Sequence, residues 1–176
     1  MNLGSLFRQD LELLARESIV DGDTSQGTLA FLLDQGIVQT GVKLLPFFQH
    51  LVVKCGERGV VVIMRISLEG KVPSAWGDKS SQVSQRCVIA RGKLNEAVVV
   101  QHFPPLVVSQ IINVTGAGDS FVGVLLANLL QNPNTFQDPR TTSTAIFSAQ
   151  SAAILSLQSH NAVSPLLSSL RISQPS

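Results

Sequence analysis

The sequence has few of the residues that define specialised classes of protein. It contains only two cysteines, Cys55 and Cys87, and only three histidines, which are scattered along the chain. Two cysteines build neither a zinc site nor a disulfide framework, and histidines without ligand spacing do not indicate a metal centre. We therefore expect Cys55, which lies in an apolar run, to be a reduced core residue.

Charge of one sign is also lacking, since the formal net charge at pH 7 is only +1. A chain without a basic field does not favour nucleic acid as a partner. The first residues carry no apolar signal core, and no apolar run is long enough to span a bilayer. We expect a soluble, cytoplasmic protein without a membrane partner.

What is present suits one folded α/β domain. The 176 residues are 44% hydrophobic, which supports a core. The stretch 67–95 is rich in polar residues and predicts a flexible insertion. The remaining periodicity predicts helices over residues 28–35, 42–50, 120–130 and 141–157, and strands over 51–55, 60–64 and 97–100.

The strongest functional signal is the stretch Asn113–Phe121, called here the glycine segment, which reads Asn-Val-Thr-Gly-Ala-Gly-Asp-Ser-Phe. It lies between an apolar run that predicts a strand and another that predicts a helix. A glycine turn in this place leaves backbone N–H groups unpartnered at the positive end of the helix dipole, where phosphates bind. A carboxylate beside such an anion site indicates proton transfer. The segment therefore predicts phosphoryl transfer, with Gly116 to Gly118 as the phosphate cradle and Asp119 as the base.

The glycine segment also has simpler explanations. Asp is a favoured N-cap residue, and Gly-x-Gly before a helix is common in α/β proteins, so Asp119 could serve only as a cap. A dinucleotide site is disfavoured because the third glycine and the downstream ribose-binding acid are missing. A Walker P-loop is excluded because the segment lacks the Gly-Lys-Ser/Thr ending.

The glycine segment resembles the second signature of the ribokinase-like (PfkB-type) carbohydrate kinases, Asp-Thr-x-Gly-Ala-Gly-Asp-x-Phe. This chain has Asn113 and Val114 where the signature has Asp and Thr. The resemblance implies that Gly116, Ala117 and Gly118 form an anion hole and that Asp119 accepts the proton of the substrate hydroxyl. It also implies a ribokinase-like three-layer sandwich, with helices on both faces of a mostly parallel sheet.

Other parts of the chain extend the resemblance to nucleotide and cation binding. The turn containing Gly56 and Gly59 is similar to the strand–Gly-Glu-x-Gly–strand element that precedes the nucleotide site. Gln150 lies in a small-residue helix like the one beside adenine in the family. Thr115 would contact the nucleotide too. The implied ligands of a monovalent cation are Asn113, Thr115, Asn161 and Ser164.

Within the family, the chain looks like the pseudouridine-kinase branch. That branch implies phosphorylation of pseudouridine, a small-molecule nucleoside, by ATP and Mg²⁺, with K⁺ as a candidate activator. The resemblance runs from about Leu11 to Leu167 and covers only the C-terminal half of such a kinase. We therefore expect residues 1–176 to be the nucleotide-binding part of a kinase domain truncated at its N-terminal side.

Two other functions stay open at this point. The first is a non-catalytic nucleotide-binding remnant, or a half-enzyme that needs a missing N-terminal sugar-binding part. The second is another ribokinase-like sugar kinase. The expected macromolecular partners are a pseudouridine-phosphate glycosidase domain, the missing N-terminal half, or a second copy of this chain in a homodimer.

Overall fold

The computed structural model describes residues 31–32, 34–67, 87–91 and 96–169, which divide into two compact units. The first unit ends at Pro104, and the second begins at Pro105. Most of the predicted insertion over 67–95 lies outside the described residues, as do residues 28–30 and 33 of the helix predicted over 28–35.

The first unit combines one helix with an antiparallel sheet. The helix and the strands are α1 (Ile37–Leu44), β1 (His50–Lys54), β2 (Val60–Ser67), β3 (Cys87–Arg91) and β4 (Glu96–Phe103). The strands lie in the order β1-β2-β4-β3, and each adjacent pair is antiparallel. The mostly parallel sheet expected from the sequence is therefore not confirmed among the described strands.

One face of this sheet packs against α1. Residues alternate between the two faces along each strand, so Ile63 of β2 and its partner Val100 of β4 share the face that joins the core. The buried cluster consists of Leu32, Val38, Val42, Leu45, Val61, Ile63, Val98 and Val100. Cys55 packs beside it as a free thiol, and partial burial raises its pKa. The expected position of Cys55 beside the core is confirmed.

One of the predicted helices is wrong in position. The helix expected over residues 42–50 is found earlier, as α1, and His50 already belongs to β1. Gly36 begins α1 in the left-handed conformation, and Pro46, which has no N–H to donate, follows its C-cap residue Leu45. The predicted insertion contains a strand, β3, which pairs with β4.

The second unit is built on two packed helices, α2 (Ala117–Gln131) and α3 (Pro139–Leu157). The helix α3 begins at an N-cap, Asp138, whose side chain accepts a hydrogen bond from the backbone N–H of Thr141 at 2.9 Å. Small residues of α3 are buried and let α2 approach closely: Ala145, Ala149 and Ala152. Both predicted helices are confirmed, each extended at its N-terminus.

The segment that precedes α2 is not the strand that its apolar residues predicted. Residues 104–114 have no regular secondary structure, and Val107 and Ile111 are exposed. Pro104 and Pro105 each lack the N–H donor that a strand ladder needs. Among the helices that the structure describes, none has the length and apolar character to cross a bilayer.

Candidate functional site

The glycine segment folds into a tight turn that leads directly into α2. The side-chain oxygen of Asn113 accepts a hydrogen bond from the backbone N–H of Thr115 at 2.9 Å, which closes an Asx turn. Gly116 follows with a φ of 78°, a left-handed conformation that glycine adopts at little cost. The carbonyl group of Gly116 then accepts the first helical hydrogen bond, from Ser120 N–H at 2.8 Å.

The N-cap position of α2 is occupied by a glycine. Gly116 is the N-cap residue and makes no side-chain hydrogen bond. Asp119 lies in the first turn of the helix, where it is exposed, and its side chain forms no hydrogen bond with the part of the chain that the structure describes. The simpler explanation of Asp119, a capping role, therefore has no support in the observed contacts. A helix end of this kind presents positive partial charge beside a carboxylate.

A second segment, Gln158–Ser164, packs against the turn and is called here the C-terminal loop. The carbonyl oxygen of Leu157, the last residue of α3, accepts hydrogen bonds from Ile112 N–H at 2.7 Å and from Asn113 N–H at 3.1 Å. The amide group of Asn113 donates to the carbonyl oxygen of His160 at 3.4 Å. An aspartate in place of Asn113 could not donate this last bond.

Glycine is required at position 116 for a further reason. A Cβ atom there would lie within 3.2 Å of the Ala162 backbone, which belongs to the C-terminal loop. Ala162 thus packs directly on the turn. The glycine segment and the C-terminal loop form one continuous surface within the second unit.

Three buried serines connect the same two segments, namely Ser120, Ser156 and Ser164. The Oγ atoms of Ser120 and Ser156 lie 2.6 Å apart. The backbone N–H of Ser164 donates to Ser156 Oγ at 3.4 Å, and Ser164 Oγ accepts from Leu166 N–H at 3.3 Å. The serine hydroxyls therefore link the first turn of α2, the end of α3 and the C-terminal loop.

The residues predicted as cation ligands lie on these two segments. Thr115 is exposed in the turn, and Asn161 is exposed in the loop. Ser164 is 3% exposed, and its hydroxyl oxygen is engaged as described above. Asn113 and the loop meet through the contact with His160, so the structure brings the predicted set to neighbouring segments.

The residues predicted to contact the nucleotide are distributed over both units. Gln150 is half-buried in α3, about two helical turns before its C-terminal end. Gly56 and Gly59 belong to the first unit, where they have φ values of 59° and 84° in the turn between β1 and β2. The carbonyl of Gly59 accepts from Cys55 N–H at 2.8 Å and closes this turn.

The turn around Gly56 has additional supports in the first unit. The guanidinium of Arg58 stacks over the ring of Phe31, 3.9 Å from its centroid. A ring nitrogen of His102, Nε2, lies 2.8 Å from the carbonyl oxygen of Arg58. These contacts hold the turn between β1 and β2 against the end of β4.

Three residues of the site were not predicted from the sequence, namely Ser120, Ser156 and Ala162. Ser156 had a usable signal, because it is a hydroxyl residue inside the apolar run Ile154–Leu157 of a predicted helix. Ala162 had none, since its role depends on the position of its backbone carbonyl rather than on its side chain.

These features define an α/β protein with a candidate anion-binding helix end and an exposed carboxylate beside it. The chain belongs to the pfkB family of carbohydrate kinases, whose family model matches residues 35–169. The match includes the glycine segment, the C-terminal loop and the turn around Gly56. The family resemblance seen in the sequence is therefore confirmed.

One curated relative is a pseudouridine-metabolizing bifunctional protein of Schizosaccharomyces pombe. The two sequences are 31% identical over 140 residues, which is 79% of this chain. The matched region spans only 16% of the relative's own length.

Proposed function

We propose that this chain is the nucleotide-binding and base-bearing part of an ATP-dependent kinase that phosphorylates a hydroxyl of a nucleoside or sugar. Pseudouridine is the first candidate substrate, with pseudouridine 5′-phosphate as product, because the relative from S. pombe is described as pseudouridine-metabolizing. The complete domain would have the ribokinase-like three-layer sandwich, with this chain supplying its C-terminal part.

The observation that carries the proposal is the exposed Asp119 in the first turn of α2, directly after the glycine turn. In the proposed reaction its carboxylate accepts the proton of the attacking hydroxyl, which makes the oxygen a better nucleophile. The amides of Gly116, Ala117 and Gly118 would stabilise the charge that develops on the transferred phosphoryl group. Because Asp119 is not engaged by a described partner, it is available for the substrate.

Mg²⁺ enters the proposal as part of the nucleotide. It neutralises charge on the phosphates when it is bound with ATP. The described residues include no group of three or more His, Cys, Asp or Glu side chains that could hold a metal ion.

The remaining binding roles are proposed from the resemblance. The nucleotide would contact Thr115, Gly116, Gly118, Gly56, Gly59 and Gln150. A K⁺ ion would lie among oxygens of Asn113, Thr115, Asn161 and Ser164. Since Asn113 Oδ1 already accepts from Thr115 N–H, only its second lone pair could serve such an ion.

A non-catalytic nucleotide-binding remnant, or a half-enzyme, is the second candidate function. It is motivated by the family resemblance, which extends over only the C-terminal half of such a kinase. A base without a hydroxyl within hydrogen-bond reach transfers no proton. Partners that could complete the site are an N-terminal sugar-binding part, a second copy of the chain, or a glycosidase domain joined to it.

The test is ADP formation by the purified chain with ATP and Mg²⁺ in the presence of pseudouridine, uridine or ribose. ATP without an acceptor is the control, and calorimetry measures nucleotide affinity in parallel. We expect ADP release that depends on pseudouridine. Ribose-dependent release would instead favour another sugar kinase, and nucleotide binding without release would favour the remnant. A folded chain that binds no nucleotide would contradict the proposal.

A further inference from the structure

The buried hydroxyl of Ser156, on α3, bonds both to the first turn of α2 and to the end of the C-terminal loop. It is 0% exposed, and its two neighbours, Ser120 and Ser164, are 5% and 3% exposed. A serine hydroxyl has one donor and two acceptor sites. Here it accepts from Ser164 N–H and either donates to or accepts from Ser120 Oγ, so two of these three sites are engaged.

Each partner of Ser156 is itself attached to a functional element. Ser120 directly follows Asp119, and its N–H donates to the carbonyl of Gly116. Ser164 ends the C-terminal loop, whose residue Ala162 packs on Gly116. One hydroxyl therefore fixes both the rotation of the first turn of α2 and the far end of the loop.

The beginning of the C-terminal loop is fixed by Leu157, the residue that follows Ser156. The carbonyl of Leu157 accepts from both Ile112 N–H and Asn113 N–H, at the beginning of the glycine segment. Two adjacent residues of α3 therefore hold the turn: Ser156 through its side-chain hydroxyl and Leu157 through its backbone carbonyl. A shift of Ser156 would move Asp119 and the Gly116–Gly118 amides together.

We propose that Ser156 is a positioning residue for phosphoryl transfer, which holds Asp119 and the anion-binding amides in one fixed arrangement with the C-terminal loop. The proposal rests on the kinase function proposed above. Ser156 touches no reactant and acts through Ser120 and Ser164. Misplacement of reacting groups by about 1 Å can cost about 100-fold in rate, so a small rearrangement here is enough to lower turnover.

The test compares Ser156→Ala, Ser120→Ala and the double variant with a matched control, Thr142→Val. Thr142 is also 0% exposed on α3, and its hydroxyl donates to backbone carbonyls of Thr135 and Asp138, at the opposite end of the helix. Its replacement removes a buried hydroxyl of the same helix without contact with the site. Thermal melts establish that each variant is folded.

Two readouts separate positioning from general destabilisation. We expect Ser156→Ala to lower kcat at least about tenfold, while KM for ATP changes less than about twofold, since an arrangement needed mainly in the transition state affects kcat. Hydrogen exchange of the amides in residues 112–120 and 157–164 should accelerate in Ser156→Ala. Thr142→Val should lower the melting temperature and leave kcat and the hydrogen exchange of these residues near their wild-type values. The double variant should be no worse than Ser156→Ala, because both changes remove the same bond.

Equal effects of Ser156→Ala and Thr142→Val on kcat and on exchange would overturn the proposal. So would unchanged exchange in residues 112–120 of a folded Ser156→Ala protein. If the wild-type chain transfers no phosphoryl group under any condition, the kinase function fails and the positioning role fails with it. The exchange data then still decide whether Ser156 couples the turn to the loop.

Discussion

The backbone carbonyl group of Ala162 occupies the space in which a side chain of residue 116 would begin. A Cβ atom on Gly116 would lie 2.6 Å from the carbonyl carbon of Ala162 and 3.2 Å from its Cα atom. The φ of Gly116, 78°, is also one that other L residues rarely adopt. The close approach of Ala162 to the glycine segment therefore depends on the absence of a side chain at residue 116.

This contact predicts that Gly116→Ala destabilises the protein more than Gly36→Ala. Gly36 has a similar φ, 75°, but nothing lies within 4 Å of a Cβ atom built there. The left-handed backbone alone costs about 1–2 kcal/mol, which is the loss expected for Gly36→Ala. Gly116→Ala should lose more, since the Ala162 backbone must also move. Urea unfolding measures the free energy of unfolding of both variants. Equal losses would contradict the prediction, because they would show that the C-terminal loop can move away from residue 116 at no cost.

Replacement of Gly123 by alanine should stabilise the protein. Gly123 lies in the interior of α2, and nothing lies within 4 Å of a Cβ atom there. Alanine is favoured over glycine in a helix by about 0.5–1 kcal/mol. Gly41→Ala in α1 is the control, because its Cβ would collide with Cδ1 of Ile63. Thermal melts should move upward for Gly123→Ala and downward for Gly41→Ala; the same direction in both would contradict the packing described.

The N-cap of α3 provides a third test. Asp138→Ala removes the acceptor of Thr141 N–H and should cost about 1 kcal/mol. Asp138→Asn keeps an acceptor oxygen and should be close to neutral. Denaturant titration of the two variants beside wild type measures the difference. A loss in Asp138→Asn as large as in Asp138→Ala would mean that charge, rather than capping, matters at this position.

Partial burial lowers the pKa of His50 from its ordinary value of 6.5, because desolvation disfavours the imidazolium. The unfolded chain then binds the proton more readily than the folded chain. The preference of the unfolded chain for the proton means that the free energy of unfolding falls as His50 is protonated. This contribution to stability is fully present above pH 6.5 and is lost as the pH falls through the lower pKa of His50 in the folded state. His50→Gln should therefore lose less stability than wild type between about pH 7.5 and pH 5. An equal loss of stability in wild type and His50→Gln would contradict the lowered pKa of His50.

Local patterns were enough to predict much of this fold. The predicted strand over residues 60–64 and both long helices are confirmed, since each has sustained periodicity or a β-branched run. The strand β3 was missed because it is short and lies within a polar stretch. The antiparallel pairing was not predicted either, as pairing depends on where the chain returns rather than on any single segment.

The candidate site shows the same division between local and tertiary information. The turn of the glycine segment is encoded in consecutive residues, so its position at the start of α2 followed from the sequence. The bond between Ser120 and Ser156 joins residues 36 positions apart. No periodicity marks such a pair, since the two hydroxyls meet only when α2 packs on α3. The contact of Ala162 with Gly116 depends on backbone position and has no compositional signal.

The most direct test of the account is transfer of radiolabelled phosphate from ATP to pseudouridine by wild type, Asp119→Asn and Asp138→Asn. The two variants remove the same charge near the start of a helix in the same unit, and Asn preserves the cap at residue 138. We predict that Asp119→Asn lowers transfer by about 10²–10⁴-fold, the usual contribution of a general base, with unchanged nucleotide affinity. Asp138→Asn should stay within about twofold of wild type. Transfer by Asp119→Asn at the wild-type rate would contradict the assignment of Asp119 as the base.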